Sequence, residues 1–345
     1  MPDDTAPLAT TSRSRSIQER AAAFRTSDAG RATWQMLNTL VPLTASFALM
    51  FWSLSHAWWL TILLLPVTAL LFVRTFIIMH DCSHGSFTSS KRANEIIGFI
   101  TGVLTLTPFA QWRRDHALHH ASSGDLDRRG HGDIDTLTVD EYMALSRWGR
   151  FKYRFYRNAF VMLVIGPLYL MVHYRRPAPS ETKRAAKASS VHYTNLVIAL
   201  MLGALTWLVG WKAMLLVYLP VVYVASLAGI WLFYVQHQHD HAHWDHHEEW
   251  DYVTAAMHGS SFYRLPRVLE WFTGSIGRHH VHHVDPRIPN YRLRAAHEAV
   301  PEFNAVPQLT FWKSLRTTGL KLWDPEQRRL VGFKAVRELG ARRSA

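Results

Sequence analysis

Cys82 is the only cysteine in this chain of 345 residues, so no internal disulfide and no thiolate cluster can form, and any metal chemistry must rest on nitrogen and oxygen ligands. Other signatures are missing too. There is no HExxH of a zinc protease, no ExxH pair of a carboxylate-bridged bundle, no GxxxxGK[ST] phosphate loop, no GxSxG elbow and no GxGxxG dinucleotide fingerprint. Charge is scarce over long stretches. From Trp34 to Trp59 the run WQMLNTLVPLTASFALMFWSLSHAWW holds no Lys, Arg, Asp or Glu, and from Leu60 to Met79 the one exception is Arg74. Residues 1–33 lack the compact apolar region of a signal peptide and read as a polar, mobile tail.

What is abundant is apolar and aromatic: 48% of the residues are hydrophobic, with 14 Trp and 17 Phe. At roughly 20 residues per crossing, the two runs above are two transmembrane helices joined by a tight turn. Two more follow at 194–210 and 213–236, again nearly without a loop, so the spans form two hairpins. The stretches 96–110 and 158–174 are shorter and broken by Gly and Pro, which suits interfacial helices. The expected fold class is an all-α membrane protein with four transmembrane helices.

The net charge of +12 is spread over segments flanking the apolar runs, an arrangement that argues against nucleic acid. Arg13, Arg15, Arg20, Arg25 and Arg31 precede the first span, and Arg113, Arg114, Arg128, Arg129, Lys152 and Arg154 lie between the hairpins, whereas the hairpin turns carry only Lys212. By the positive-inside rule both termini and the histidine-rich segments belong on the cytoplasmic side.

The 21 histidines are not scattered evenly. His80 and His84 stand at i, i+4, and His116, His119 and His120 at i, i+3, i+4; His279, His282 and His283 repeat the second spacing, with His280 aimed elsewhere on the same helix. A further tract, QHQHDHAHWDHH, begins at the end of the fourth span with His237. Within it His239, His243, His246 and His247 are expected to form a solvated tract, and His56, His131, His173, His192, His258 and His297 to be ordinary polar residues. Nine imidazoles exceed what one tetrahedral zinc needs and suit two metal ions sharing ligands.

HDCSHGSF at 80–87, WRRDHALHHASSGDLDRRGHGDIDTLTVDEY at 112–142 and GSIGRHHVHHVDPRIPNYRL at 274–293 resemble the three histidine boxes of membrane fatty acid desaturases. The likeness is strongest to bacterial and plastid-like acyl-lipid desaturases of the delta-12 (omega-6) group. It implies a membrane-embedded desaturase domain over 34–310 beneath a cytoplasmic histidine-rich di-iron cap, between the 1–33 tail and a basic cytoplasmic tail at 311–345. It implies that His80, His84, His116, His119, His120, His279, His282 and His283 are iron ligands. His237 resembles the additional ligand after the last membrane helix, with His241, at i+4 from it, a competing choice.

The chemistry so implied is activation of O₂ at two irons and removal of two hydrogens from neighbouring methylenes of a lipid-linked acyl chain, giving a cis double bond. An unactivated C–H bond offers no handle for acid–base catalysis, so the protein's part is to hold a flexible chain in register in a dry tunnel. Trp112, Phe109 and Phe87 are candidate tunnel walls. Asp81, Asp115, Asp125 and Asp285 are candidates to accept the second ring N–H of ligand histidines, as metal-bound imidazoles require. Arg128 and Arg129 are candidate contacts for lipid headgroups or an electron donor. With no flavin, haem or ferredoxin-type motif in the chain, electrons must come from a separate protein, expected to be an acidic ferredoxin attracted by the basic face. The alternatives are a hydroxylase or ketolase on the same scaffold, and a membrane metal transporter; the latter predicts ionisable residues inside the spans, which these runs nearly lack.

Overall fold

A computed structural model of the chain describes residues 5–130, 134–177 and 185–336. The architecture is helical, with four helices among the described residues long and apolar enough to cross a membrane. After α1 (Thr5–Ala22), the first hairpin is α2 (Ala29–His56) and α3 (Trp58–Ser83). The second is α9 (Ala185–Val209) and α10 (Trp211–His237), which turns on Gly210 at φ +83, a left-handed conformation that glycine adopts without strain.

The hairpins are apolar outside and enclose an apolar core, with Leu43, Met50, Leu71, Phe72, Val217 and Val221, set with small hydroxyl residues. On α2 the buried stripe is Ala32, Gln35, Thr39, Leu43, Ser46, Met50 and Ser53, while Trp34, Leu37, Val41, Leu49 and Trp52 face outward. Ser53 and Thr61 share a hydrogen bond at 2.6 Å across the hairpin, and Ser46 and Thr68 share another. Small hydroxyl residues let two helices approach closely and satisfy each other where lipid cannot hydrogen-bond them, the pattern expected in a bilayer. Arg74 is likewise satisfied internally. Its Nε donates to Thr39 Oγ1 at 3.0 Å, its Nη1 donates to the Trp271 carbonyl, and the guanidinium lies 4.0 Å over the Trp271 ring.

The shorter apolar stretches are parts of two bent pairs. Between α4 (Lys91–Leu104) and α5 (Phe109–Ser122) the chain bends by 102°, and between α7 (Arg147–Tyr156) and α8 (Val161–His173) by 59°; α6 (Val139–Ala144) lies between the pairs. α4 and α5 lie so close that a Cβ on Gly98 would fall 2.4 Å from the Phe109 ring. The break at Thr105–Pro108 sends α5 back toward the end of α3, which brings the second histidine box beside the first.

The cap is built from α11 (Tyr252–His258), α12 (Arg267–Phe272), α13 (His279–Val284) and α14 (Asn290–Ala299), with a two-residue parallel pairing of β1 (Phe262–Tyr263) and β2 (Gln308–Leu309). Its core joins Val253, Met257, Ile276, Val281, Val284, Ile288 and Leu293. The segment expected to be a mobile tail contributes to that core. Ile17 and Ala21 of α1, one turn apart, are buried in it, Ser14 Oγ donates to Asp251 Oδ1 at 3.0 Å, and Arg20 and Arg25 pair with Glu302 and Asp285. Two apolar residues in a polar stretch, plus complementary charges on the cap, are what hold it.

At the other terminus α15 (Phe311–Thr317) precedes an antiparallel hairpin of β3 (Leu322–Asp324) and β4 (Arg329–Val331). Leu322 and Val331 pack with Tyr142 and Tyr153, and Trp323 and Leu330 with Leu126 and Trp244, so this segment too is docked as far as Val336. Residues 337–345 and His131 lie outside the described residues.

Candidate metal centre

Three helix ends and one turn converge beneath the cap. His80 sits in the last turn of α3 and His84 just beyond its end; His116, His119 and His120 occupy the last turns of α5; His237 closes α10; and His279, His282 and His283 belong to α13. Their ring nitrogens form two groups, each within 4.8 Å: His80, His84, His116, His120 and His282 in one, His119, His237, His279 and His283 in the other. Each HxxHH helix therefore serves both groups. The i, i+4 pair of α5 faces the first group and His119 the second, whereas in α13 the i, i+4 pair faces the second and His282 the first. Adjacent residues of a helix are rotated by about 100°, which is what separates His119 from His120 and His282 from His283.

Contacts inside the groups run between the distal nitrogens. His80 Nε2 lies 3.0 Å from His116 Nε2, which lies 3.1 Å from His120 Nε2; His279 Nε2 lies 2.9 Å from His237 Nε2 and 3.0 Å from His283 Nε2. Two of the rings have their tautomer fixed from behind. His80 Nδ1–H donates to Asp81 Oδ1 at 3.0 Å and His237 Nδ1–H donates to the Gly259 carbonyl at 3.3 Å, so in each the Nε2 lone pair points into the group.

Burial, reinforced by neighbouring imidazoles, pushes His84, His279, His282 and His283 well below the ordinary histidine value, so these rings are neutral with lone pairs available. Among the described residues His84 Nε2 and both ring nitrogens of His282 are buried without a hydrogen-bond partner. Leaving such an atom unsatisfied costs about 1–3 kcal/mol. Nine convergent imidazoles, with orphaned nitrogens on His84 and His282 among them, thus fit two metal ions, and an all-imidazole donor set suits iron, zinc or copper.

The other expected site residues divide. Asp81 reaches a histidine nitrogen, as above. Asp115 pairs with Arg114 at 3.0 Å, Asp285 with Arg25 and Arg287, and Asp125 with Arg128 and His247, and none of these pairs includes a ring of either group. Trp112 stacks on His116 with ring centroids 4.2 Å apart and lies 5.6 Å from His80, while Phe87 and Phe109 are packed with Ile78, Met79 and Cys82. Arg129 is taken up by Glu141.

In the tract after His237, His241 is exposed and belongs to neither group. His246 and His247 are exposed, as expected of a solvated tract, and form a clasp with Asp127 and Asp125 at 3.1 and 2.8 Å; His243 is half-buried and pairs with Asp245 at 2.5 Å, and His239 is buried. His280 points away from the groups and meets His297 at 3.1 Å. Sequence reasoning did not single out Asn290, whose backbone and side chain both hydrogen-bond Asp81, nor Glu270, the buried partner of Arg278 at 2.9 Å just before the third box. The signal available was their proximity to that box.

Residues 56–314 match the family model described as fatty acid desaturase. The chain is 42% identical over 323 residues to a fatty acid desaturase of Bacillus subtilis, covering 94% of this chain and 92% of that one. It is 30% identical over 244 residues to an sn-1 acyl-lipid omega-3 desaturase (ferredoxin) of Synechocystis, covering 67% and 64% of the two chains. With a chloroplastic omega-6 fatty acid desaturase of Spinacia oleracea it shares 28% over 319 residues, 87% and 68% of the two.

Proposed function

Since the chain belongs to the fatty acid desaturase family and is an oxidoreductase with membrane-spanning helices, we propose that it is a di-iron, O₂-dependent desaturase introducing a cis double bond into a lipid-linked acyl chain, of the delta-12 (omega-6) type. The observation that carries the di-iron reading is the division of nine histidines into a group of five and a group of four. In this reading His80, His84, His116, His120 and His282 hold one ion, and His119, His237, His279 and His283 the other. Two bound irons supply, with O₂ and external electrons, the oxidant needed to remove hydrogens from an unactivated methylene pair.

The chain's own residues do the rest. The buried, neutral rings of His84, His279, His282 and His283 offer lone pairs in place of protons, and the Asp81 and Gly259 acceptors hold the Nδ1 protons of His80 and His237 away from the centre. Trp112, pressed against His116 and His80, is the wall that an acyl chain approaching the first group would meet. The lysines and arginines outside the spans support a cytoplasmic placement of the cap and both termini, and a basic surface suits an acidic donor. The relative named for ferredoxin supports that class of donor.

The test is mass spectrometry of total fatty acids, with double bonds located by derivatisation, from a bacterial host making monounsaturates and carrying this gene with a ferredoxin/reductase pair. A diene with its new bond at the delta-12 position is expected. A new bond elsewhere overturns the regiochemistry, hydroxylated or ketonic products overturn desaturation, and a purified protein that binds no iron overturns the di-iron centre.

A further inference from the structure

Asn290 is no histidine and lies seven residues past His283, yet it ties the first box to the segment that follows the histidines of the third. The two oxygens of the Asp81 carboxylate have separate tasks. Oδ1 accepts the Nδ1–H of His80 at 3.0 Å, and Oδ2 accepts both the Asn290 backbone N–H at 2.6 Å and the Asn290 Nδ2–H at 2.7 Å. Asp81 is 1% exposed and Asn290 2%, so these bonds are shielded from bulk water and correspondingly strong. The backbone donor is one of the N–H groups left unpaired at the start of a helix, here the ten-residue α14.

The amide is confined on its other side. Gly274, at φ +55, sits so close that a Cβ there would come within 3.0 Å of Asn290 Oδ1 and 2.7 Å of Ile77 Cγ2. Which atom faces Asp81 is set by the carboxylate, an acceptor that requires the Nδ2 donor and leaves Oδ1 on the Gly274 side. The next residue repeats the tie between segments: Tyr291 Oη donates to the Phe87 carbonyl at 3.0 Å and accepts the Asp28 N–H at 2.9 Å.

An acceptor that holds a ligand histidine must itself be held. If Asp81 rotated, His80 Nδ1 would lose its acceptor and the ring could present the wrong nitrogen. We propose that Asn290 is a positioning residue for the metal centre: by anchoring Asp81 it fixes the tautomer and orientation with which His80 faces the five-histidine group. This rests on the metal-ligand reading above. Asn290 acts only through Asp81, and the four-histidine group, which neither residue touches through a hydrogen bond, is the internal control.

The test uses the full-length protein in detergent, stripped of metal and titrated with cobalt(II), whose visible absorption reports its ligands. Wild type is expected to take up about two ions per chain. Asn290→Ala should weaken one of the two sites about 10–100-fold and leave the other unchanged, the range typical for groups behind a ligand. The nearly isosteric Asn290→Asp, which keeps the packing but sets an oxygen against Asp81, should show the same selective loss and serves if the alanine variant does not fold. Asp81→Ala should lose at least as much, and Asp81→Ala combined with Asn290→Ala no more than Asp81→Ala alone, since the second residue has nothing left to act through. Wild-type affinity at both sites in Asn290→Asp, equal weakening of both sites, or additive losses in the double variant would each overturn the positioning role. A wild type that takes up no cobalt would remove the metal reading, and this inference with it.

Discussion

His237 and His279 meet Nε2 to Nε2 at 2.9 Å, one closing the last membrane helix and the other opening a helix 42 residues later. That contact supports His237 over His241 as the ninth ligand of the proposed centre, because His241, one helical turn from His237 in an ideal continuation, lies past the end of α10 and is exposed. His237→Ala should lower bound iron from about two ions per chain to about one and abolish desaturation, while His241→Ala should change neither. Iron analysis beside product analysis checks both; loss of metal in His241→Ala would move the ninth ligand.

Metal should also stabilise the folded state, since nine imidazoles converge only there. A ligand that binds the folded state alone at 100 times its dissociation constant adds about 2.7 kcal/mol per site. Chelation should therefore lower the thermal unfolding midpoint in detergent, and added iron(II) should restore it. A midpoint indifferent to chelator would mean that the histidines do not hold a metal in the purified protein.

The spans were legible because nearly charge-free runs of membrane length have one reading, and the observed helices from Ala29 to His56, Trp58 to Ser83 and Trp211 to His237 differ from the expected ones by only a few residues at either end. The histidines could be chosen by spacing, but not assigned to their groups. Periodicity puts His116 and His120 on one face, yet which partner that face meets depends on the 102° bend between α4 and α5 and on the path of α13. Asp115 and Asp81 each neighbour a box histidine in sequence, but the Asp115 side chain turns to Arg114 while that of Asp81 meets His80, since adjacency in sequence does not set direction. The docking of α1 was hidden because two buried residues, Ile17 and Ala21, leave almost no pattern in a polar stretch.

Arg278 immediately precedes the third box and is buried against Glu270, which also pairs with Arg294. Removing one partner of a buried pair leaves an uncompensated charge, at about 3–5 kcal/mol. Glu270→Ala should lower the unfolding midpoint far more than Glu270→Gln, which keeps an acceptor oxygen for Arg278. Equal, small shifts in the two variants would show that Arg278 finds another partner.

The clasp between the segment after the second box and the tract after α10 should hold through mild acid and fail only below the carboxylate range. Asp125, fully buried, accepts from Arg128 Nε at 2.6 Å, His247 Nδ1 at 2.8 Å and the Asp127 N–H at 3.0 Å. Burial alone would raise its pKa, but these donors together hold it below the ordinary value of 3.8. A carboxylate depressed in the folded state contributes its full stabilisation above its unfolded pKa and loses it as pH falls through the lower, folded value. Asp125→Asn, which cannot carry the charge, should thus be less stable than wild type by about 1–3 kcal/mol at neutral pH, with the gap constant down to about pH 5 and closing below about pH 4. Unfolding midpoints of the two proteins across that range measure the gap directly, and one that closed between pH 8 and pH 6 would place the controlling charge on the histidines of the clasp instead.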